Sequence, residues 1–164
     1  MVPRASVVRN DPASRPRGYS GAVTPAGGRD DSSTPLARKL GIREGSRVLV
    51  VAPPDGFSIG PVPTGTEMVR TGRARLDVAL LFARTQAVLR RRFPALQRAL
   101  DPAGRLWVAW PKKASGLRTD LSFDVVQGLG LAAGLVDNKS ASIDEAYQGL
   151  QFVYRLKDRP SAGR

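Results

Sequence analysis

Three apolar runs rich in β-branched residues constrain this chain more than any other feature. Residues 46–51 read Ser-Arg-Val-Leu-Val-Val, residues 76–82 read Leu-Asp-Val-Ala-Leu-Leu-Phe, and residues 105–110 read Arg-Leu-Trp-Val-Ala-Trp. Runs of this length without polar alternation suit strands buried on both faces, as in parallel sheets. Between the second and third runs, Leu89, Phe93, Leu96 and Leu100 fall four, three and four residues apart. That is one stripe of a helix, with Thr85 as its N-cap. Strands alternating with helices predict a largely parallel α/β sheet with helices on both faces.

The remaining elements fill in around this frame. Thr34 and Pro35 suit the N-cap and first position of a short helix that ends at Gly41. Pro53-Pro54-Asp55-Gly56 stops the first strand, and residues 66–69 offer a short second one. Pro94 is expected to kink or split the long helix. Residues 101–104 (Asp-Pro-Ala-Gly) are expected to be a turn, residues 121–134 a helix weakened by Gly128 and Gly130, and residues 135–143 and 149–156 two closing strands. Val48, Val50, Leu80, Leu96 and Val108 are the predicted core. Residues 1–33, rich in Pro, Gly, Ser and Arg, carry too few apolar groups to offset their ordering entropy and are predicted to be a disordered basic tail. The domain is therefore placed at 34–158, with 159–164 as a disordered end.

Composition narrows the chemistry. The 164 residues include no cysteine and no histidine. Disulfides, thiolate nucleophiles, the commonest zinc ligands and most hydrolase triads are thereby excluded. The net charge is +12, and 21 of the 26 basic residues are arginine. Such a field favours an anionic partner. The arginine bias has two readings, contact with phosphates or the codon composition of the genome. No helix-turn-helix, zinc or aromatic ribonucleoprotein signature accompanies it, so nucleic-acid binding is expected to be nonspecific at most. No run of about 18 apolar residues is present and no signal peptide is read, so the expected location is cytoplasmic, with no membrane partner.

Residues 40–49 (Leu-Gly-Ile-Arg-Glu-Gly-Ser-Arg-Val-Leu) resemble the first helix and strand of methyltransferase-like Rossmann domains. Residues 77–82 resemble their middle strand, residues 96–110 their next helix and strand, and the last two strands their antiparallel closing strand. Residues 107–116 (Trp-Val-Ala-Trp-Pro-Lys-Lys-Ala-Ser-Gly) resemble a small bacterial family of unknown function with a Trp-Pro-Lys-Lys-x-Ser-Gly signature. That family also carries segments like 134–139 and 143–145, so the resemblance spans about 34–158. It implies a shortened methyltransferase-like fold and brings no activity with it. Methyltransferases place a glycine-rich loop after the first strand; here residues 52–57 hold Pro53 and Pro54, which lack N–H donors, and one glycine. Only 25 residues lie between Val51 and Asp77, too few for two strands and a full helix. Glu67 is the only acid between Asp55 and Asp77 to meet a ribose. No cofactor is therefore expected, and S-adenosylmethionine is disfavoured.

Ligands of open parallel sheets bind beyond the C-terminal strand ends. The loops there bring forward Asp55, Gly56, Arg84, Lys112, Lys113, Ser115, Asp144 and Glu145 as ligand-binding candidates, with no catalytic residue and no metal ligand. Each also has a plainer reading. Asp55-Gly56 suits a turn, the two lysines suit solvated charges, and Asp144-Glu145 suits an exposed ion pair with them. Arg90, Arg91 and Arg92 suit a solvated helix face, and Trp107 and Trp110 suit core packing on opposite faces of a strand. Three functional classes follow. The first is a non-enzymatic binding or regulatory module on a degenerate methyltransferase-like fold, expected if the rim cleft is filled. The second is an unusual S-adenosylmethionine-dependent methyltransferase, expected if a deep pocket opens beside Asp55. The third is a nonspecific nucleic-acid- or ribosome-associated protein.

Overall fold

The structure, a computed structural model, describes residues 34–73 and 75–158; the predicted disordered tail of 1–33 and end of 159–164 lie outside the described residues. Helix α1 (Leu36–Leu40) leads into β1 (Arg47–Val51), then come β2 (Glu67–Met68), β3 (Leu76–Phe82), α2 (Gln86–Ala99), β4 (Leu100–Pro111), α3 (Phe123–Ala132), β5 (Leu135–Ser142) and β6 (Tyr147–Tyr154). The six strands form one sheet in the order β2-β1-β3-β4-β6-β5. The pairs β1–β2, β1–β3 and β3–β4 are parallel, and β6 runs antiparallel to both β4 and β5.

The two-residue period of the strands sorts side chains onto two cores. Leu49, Ala79, Leu81, Leu106, Val108 and Trp110 meet Leu89, Phe93 and Leu96 of α2 and Val126 of α3 on one side. Val48, Val78, Leu80, Phe82, Trp107 and Ala109 meet Ala37 and Leu40 of α1 on the other. Trp107 and Trp110 thus lie on opposite faces, both buried. The Trp107 indole N–H donates to the Leu40 carbonyl at 3.0 Å, tying the end of α1 to the sheet. Gly41 closes that helix with φ of 86°, a backbone state that suits glycine.

The connection between β1 and β2 runs over residues 52–66 with no helix. Prolines at 53, 54, 61 and 63 remove donors, and Gly56, Gly60 and Gly65 sit at φ of 80°, 83° and 77°. Its Phe57 and Ile59 pack on the α1-side core. With residues 69–75 joining β2 to β3, the segment between β1 and β3 holds one two-residue strand, as its length requires.

Several expectations need correction. Residues 101–104 are not a turn: they belong to β4, which bulges between the pairs Leu76–Leu100 and Val78–Arg105. A Cβ at Gly104 would stand 2.9 Å from the Leu76 carbonyl oxygen, so only glycine lets the two backbones approach there. Helix α2 runs unbroken through Pro94, whose side of the helix is exposed, so solvent can satisfy the carbonyl that its missing N–H leaves. Pro35, not Thr34, caps α1, without a side-chain bond. Thr85 caps α2 as expected, its Oγ1 accepting from the Val88 N–H at 3.1 Å. Val50 is half-buried rather than core, because a pocket opens at the end of β1.

Candidate functional site

The strand order reverses between β1 and β3: the chain leaves β1 toward β2 on one side and returns to β3 on the other. In open α/β sheets this switch point is where ligands bind. Here the crevice is shaped by aromatic packing. The Phe57 ring stands edge-on to Phe82 with centroids 4.8 Å apart, and Phe82 stands edge-on to Tyr147 at 5.2 Å. The row fills the α1 side of the crevice from the β1 loop to β6.

The structure divides the sequence-predicted residues into three groups. Asp55 and Gly56 are the exposed corner of a turn closed by Phe57 N–H donating to the Pro54 carbonyl at 3.1 Å, with Gly56 supplying the positive φ. Arg84 holds a neighbouring loop. Its Nε donates to the Arg118 carbonyl at 3.1 Å, while its own carbonyl accepts from Thr119 Oγ1 at 2.7 Å and from Asp120 N–H at 3.3 Å. The third group comes together at the ends of β4 and β5. Lys112 Nζ donates to Ser142 Oγ at 2.8 Å, and its backbone N–H donates to the Ala146 carbonyl at 2.8 Å. Ser115 Oγ donates to the Lys112 carbonyl at 2.7 Å and accepts from Leu117 N–H at 3.1 Å. Asp144 Oδ1 accepts from the N–H groups of Ala146 and Tyr147 at 2.9 and 2.8 Å. The expected ion pair between these lysines and Asp144 or Glu145 does not form among the described residues. Asp144 instead closes the β5–β6 hairpin, and Lys112 takes a hydroxyl as its partner. Lys113 and Glu145 are exposed.

Two cavities open at this rim. One, of about 520 Å³, lies between the end of β4 and the start of α3, with Lys112, Lys113, Ser122, Asp124 and Gln148 on its walls. The other, of about 350 Å³, lies between the end of β1, the 57–62 loop and β2, walled by Val50, Phe57, Ile59, Val62 and Met68. Among the described residues its lining includes no titratable side chain and neither Asp55 nor Gly56. Val62 and Met68 are 39% and 49% exposed. The sequence carried one sign of this pocket, the spacing of Phe57, Ile59 and Val62 through a segment otherwise made of Gly, Pro and Ser. A turn-rich loop hid it, since such segments read as solvated connections.

The topology defines a Rossmann-like α/β domain, parallel through β4 and closed by an antiparallel pair. No family model matches the chain, and no curated protein matches it. Among solved structures it is similar to a SAM-dependent methyltransferase from Aquifex aeolicus, at 13% identity and a TM-score of 0.47, covering 71% of this chain and 86% of that one. It is also similar to magnesium protoporphyrin IX methyltransferase from Synechocystis PCC 6803 with bound SAH, at 13% identity and a TM-score of 0.40, covering 58% of this chain and 53% of that one. A third similarity is to a fibrillarin/Nop5p complex, at 7% identity and a TM-score of 0.42, covering 68% and 73%.

The expectation that the chain has no cofactor is corrected by this finding, since two of the similar structures are methyltransferases described as SAM-dependent or as holding SAH. The expectation rested on Pro53 and Pro54 in a loop with one glycine, on the short span from Val51 to Asp77 and on Glu67 as the only acid between Asp55 and Asp77. Two missing donors in one loop leave the neighbouring apolar pocket untouched. The residues present fit an adenosyl group in part. Pro53, Phe57, Ile59 and Met68 form an apolar slot for a flat ring. Glu67 does not reach it: it lies beside Arg47 at the start of β1, with Arg47 Nε 3.3 Å from its Oε1. The residues that follow β2 are Val69 and Arg70, so no carboxylate stands there for ribose hydroxyls. Among the described residues no cluster of three or more acidic side chains is placed to hold a metal ion, and no helix is long and apolar enough to cross a membrane.

Proposed function

We propose that this chain is a small-molecule-binding module on a shortened methyltransferase-like fold, with its ligand seated in the apolar pocket between β1, β2 and the 57–62 loop. The observation that carries the reading is the pocket's lining: mostly apolar side chains, two of them well exposed, with the Ser58 hydroxyl turned to the Gly60 N–H at 3.0 Å and no acid or base among the described residues to move a proton. Exposed apolar groups gathered in a concavity mark a ligand surface. Proton transfer and nucleophilic attack need a titratable or nucleophilic group within hydrogen-bond reach, and the candidates nearby are engaged elsewhere. Asp144 holds the hairpin, Ser115 and Thr119 hold their loops, and Phe57 occupies the crevice. The ligand that suits such a slot has a planar, weakly polar body, which makes the adenosyl group the first to test.

The test is calorimetric titration of the full chain with S-adenosylmethionine and S-adenosylhomocysteine, repeated on Ile59→Trp, which fills the pocket. Labelled S-adenosylmethionine incubated with cell extract and the protein measures methyl transfer. Binding that Ile59→Trp abolishes, without turnover, is the expected result. Binding with catalytic turnover would replace this reading with the methyltransferase one. No binding by either ligand would remove the adenosyl assignment.

A further inference from the structure

The other side of β1 carries a second, unrelated cavity. Helix α2 packs mainly on β3 and β4 and shares one core with Leu49 of β1, while α3 packs on β5 and β6. The loop joining β2 to β3 crosses beside α2, with Gly72 close to Ala99 of that helix and to Leu49. Between this loop and α2 lies a cleft of about 520 Å³. Its floor is Leu49, Val51 and Leu96, and its edge holds Arg70, Arg73 and Arg92. Among the described residues no carboxylate lines it. All three arginines are exposed, and among the described residues none of their guanidinium groups has a hydrogen-bond or ion-pair partner. Arg47 and Arg75 by contrast pair with Glu67 and Asp101. Like charges gathered without a counter-charge repel one another, so the cluster raises the free energy of the empty protein and favours an anion. Ala52, on the wall of the same cleft, sits at φ of 56°, the one non-glycine residue in the left-handed region among the described residues. Such backbone strain concentrates at ligand sites.

We propose that this cleft binds a phosphate-bearing small molecule with an apolar body of about nucleoside size. Three guanidinium forks carry five N–H donors each, and a lone carboxylate satisfies one fork, whereas a phosphate or diphosphate offers oxygens to several. The arginines edge a concavity with an apolar floor. A polymer backbone would read a line of cations and leave the half-buried Val51 on the floor uncovered. Leu49 and Val51 belong to the core on this side of the sheet and Val50 to the core on the α1 side, so the cleft and the rim pocket lie on opposite faces and share only Val50 in their linings.

The test is calorimetry on the full chain at low salt with ADP, inorganic phosphate, adenosine and a short single-stranded oligonucleotide. ADP is expected to bind more tightly than either of its parts. Arg73→Ala and Arg92→Ala should each weaken it roughly tenfold or more, as loss of a charge-assisted bond does. Arg90→Ala, on the same helix but bonded to Gln86 at 3.3 Å, should change it by less than about twofold. Three results would overturn the proposal: no binding of ADP, an equal loss in Arg90→Ala, or adenosine binding as tightly as ADP. An oligonucleotide that displaces ADP and binds more tightly would assign the surface to nucleic acid instead.

Discussion

Helix α3 holds two glycines with opposite roles, and exchanging each for alanine separates them. Gly128 is exposed and nothing stands within 4 Å of the Cβ it lacks. Gly130 is buried against β6, and an added Cβ would collide with Cε1 of Phe152 and lie 2.5 Å from its Cδ1 and Cζ. That is more than an ångström inside ordinary contact. The Phe152 ring has no room to swing, because it is fully buried and edge-on to Phe93 at 5.8 Å. Removing glycine from a helix interior gains about 1 kcal/mol. Gly128→Ala should therefore stabilise the fold by about 0.5–1 kcal/mol. Gly130→Ala makes the same gain but adds overpacking strain at the upper end of the usual ~1–3 kcal/mol, so it should destabilise by about 2 kcal/mol. At roughly 3–5 °C per kcal/mol for a domain of this size, Gly130→Ala should melt about 6–10 °C lower and Gly128→Ala about 2–5 °C higher than the parent. Thermal and urea unfolding followed by circular dichroism measure both. Gly130→Ala melting at or above the parent would refute the close approach of α3 to β6.

Other substitutions probe the remaining joints. Ala52→Gly should stabilise by about 0.5–1 kcal/mol in urea titration, since glycine adopts the φ of 56° without the left-handed penalty. Trp107→Phe should cost roughly 1–3 kcal/mol, because it leaves the Leu40 carbonyl without its buried donor. A cost near zero would show that the bond does not anchor α1. Leu96→Ala, which empties a 6% exposed position under α2, should cost about 2–5 kcal/mol, and a change below half a kcal/mol would remove α2 from the core.

The sequence disclosed the fold better than the site, and the reasons are physical. The runs at 46–51, 76–82 and 105–110 are hydrophobic on both faces, a signal that survives without knowledge of partners. Thr85 and Gly41 announced helix ends through local hydrogen bonding and φ alone. Residues 101–104 misled because Asp-Pro-Ala-Gly is turn chemistry locally, whereas pairing with β3 holds it extended. The candidate residues were chosen for charge at the strand ends, and most are engaged in local bonding. Asp144 and Ser115 fold back on their own backbone, which is what these side chains do in turns. The apolar slot at Phe57 and Ile59 depends on a loop path that no periodicity records. The cluster of Arg70, Arg73 and Arg92 joins residues from a loop and a helix some twenty positions apart, and only the fold brings them to one cleft.

The most direct measurement of the rim-pocket reading is a titration of the isotopically labelled protein with S-adenosylhomocysteine, followed by amide chemical shifts. The account predicts that the amides of Phe57, Ser58, Ile59, Gly60 and Met68 shift together and saturate, while those of residues 113–124, at the other rim cavity, stay in place. Shifts confined to residues 113–124, or no shift at the pocket with ligand in large excess, would contradict it.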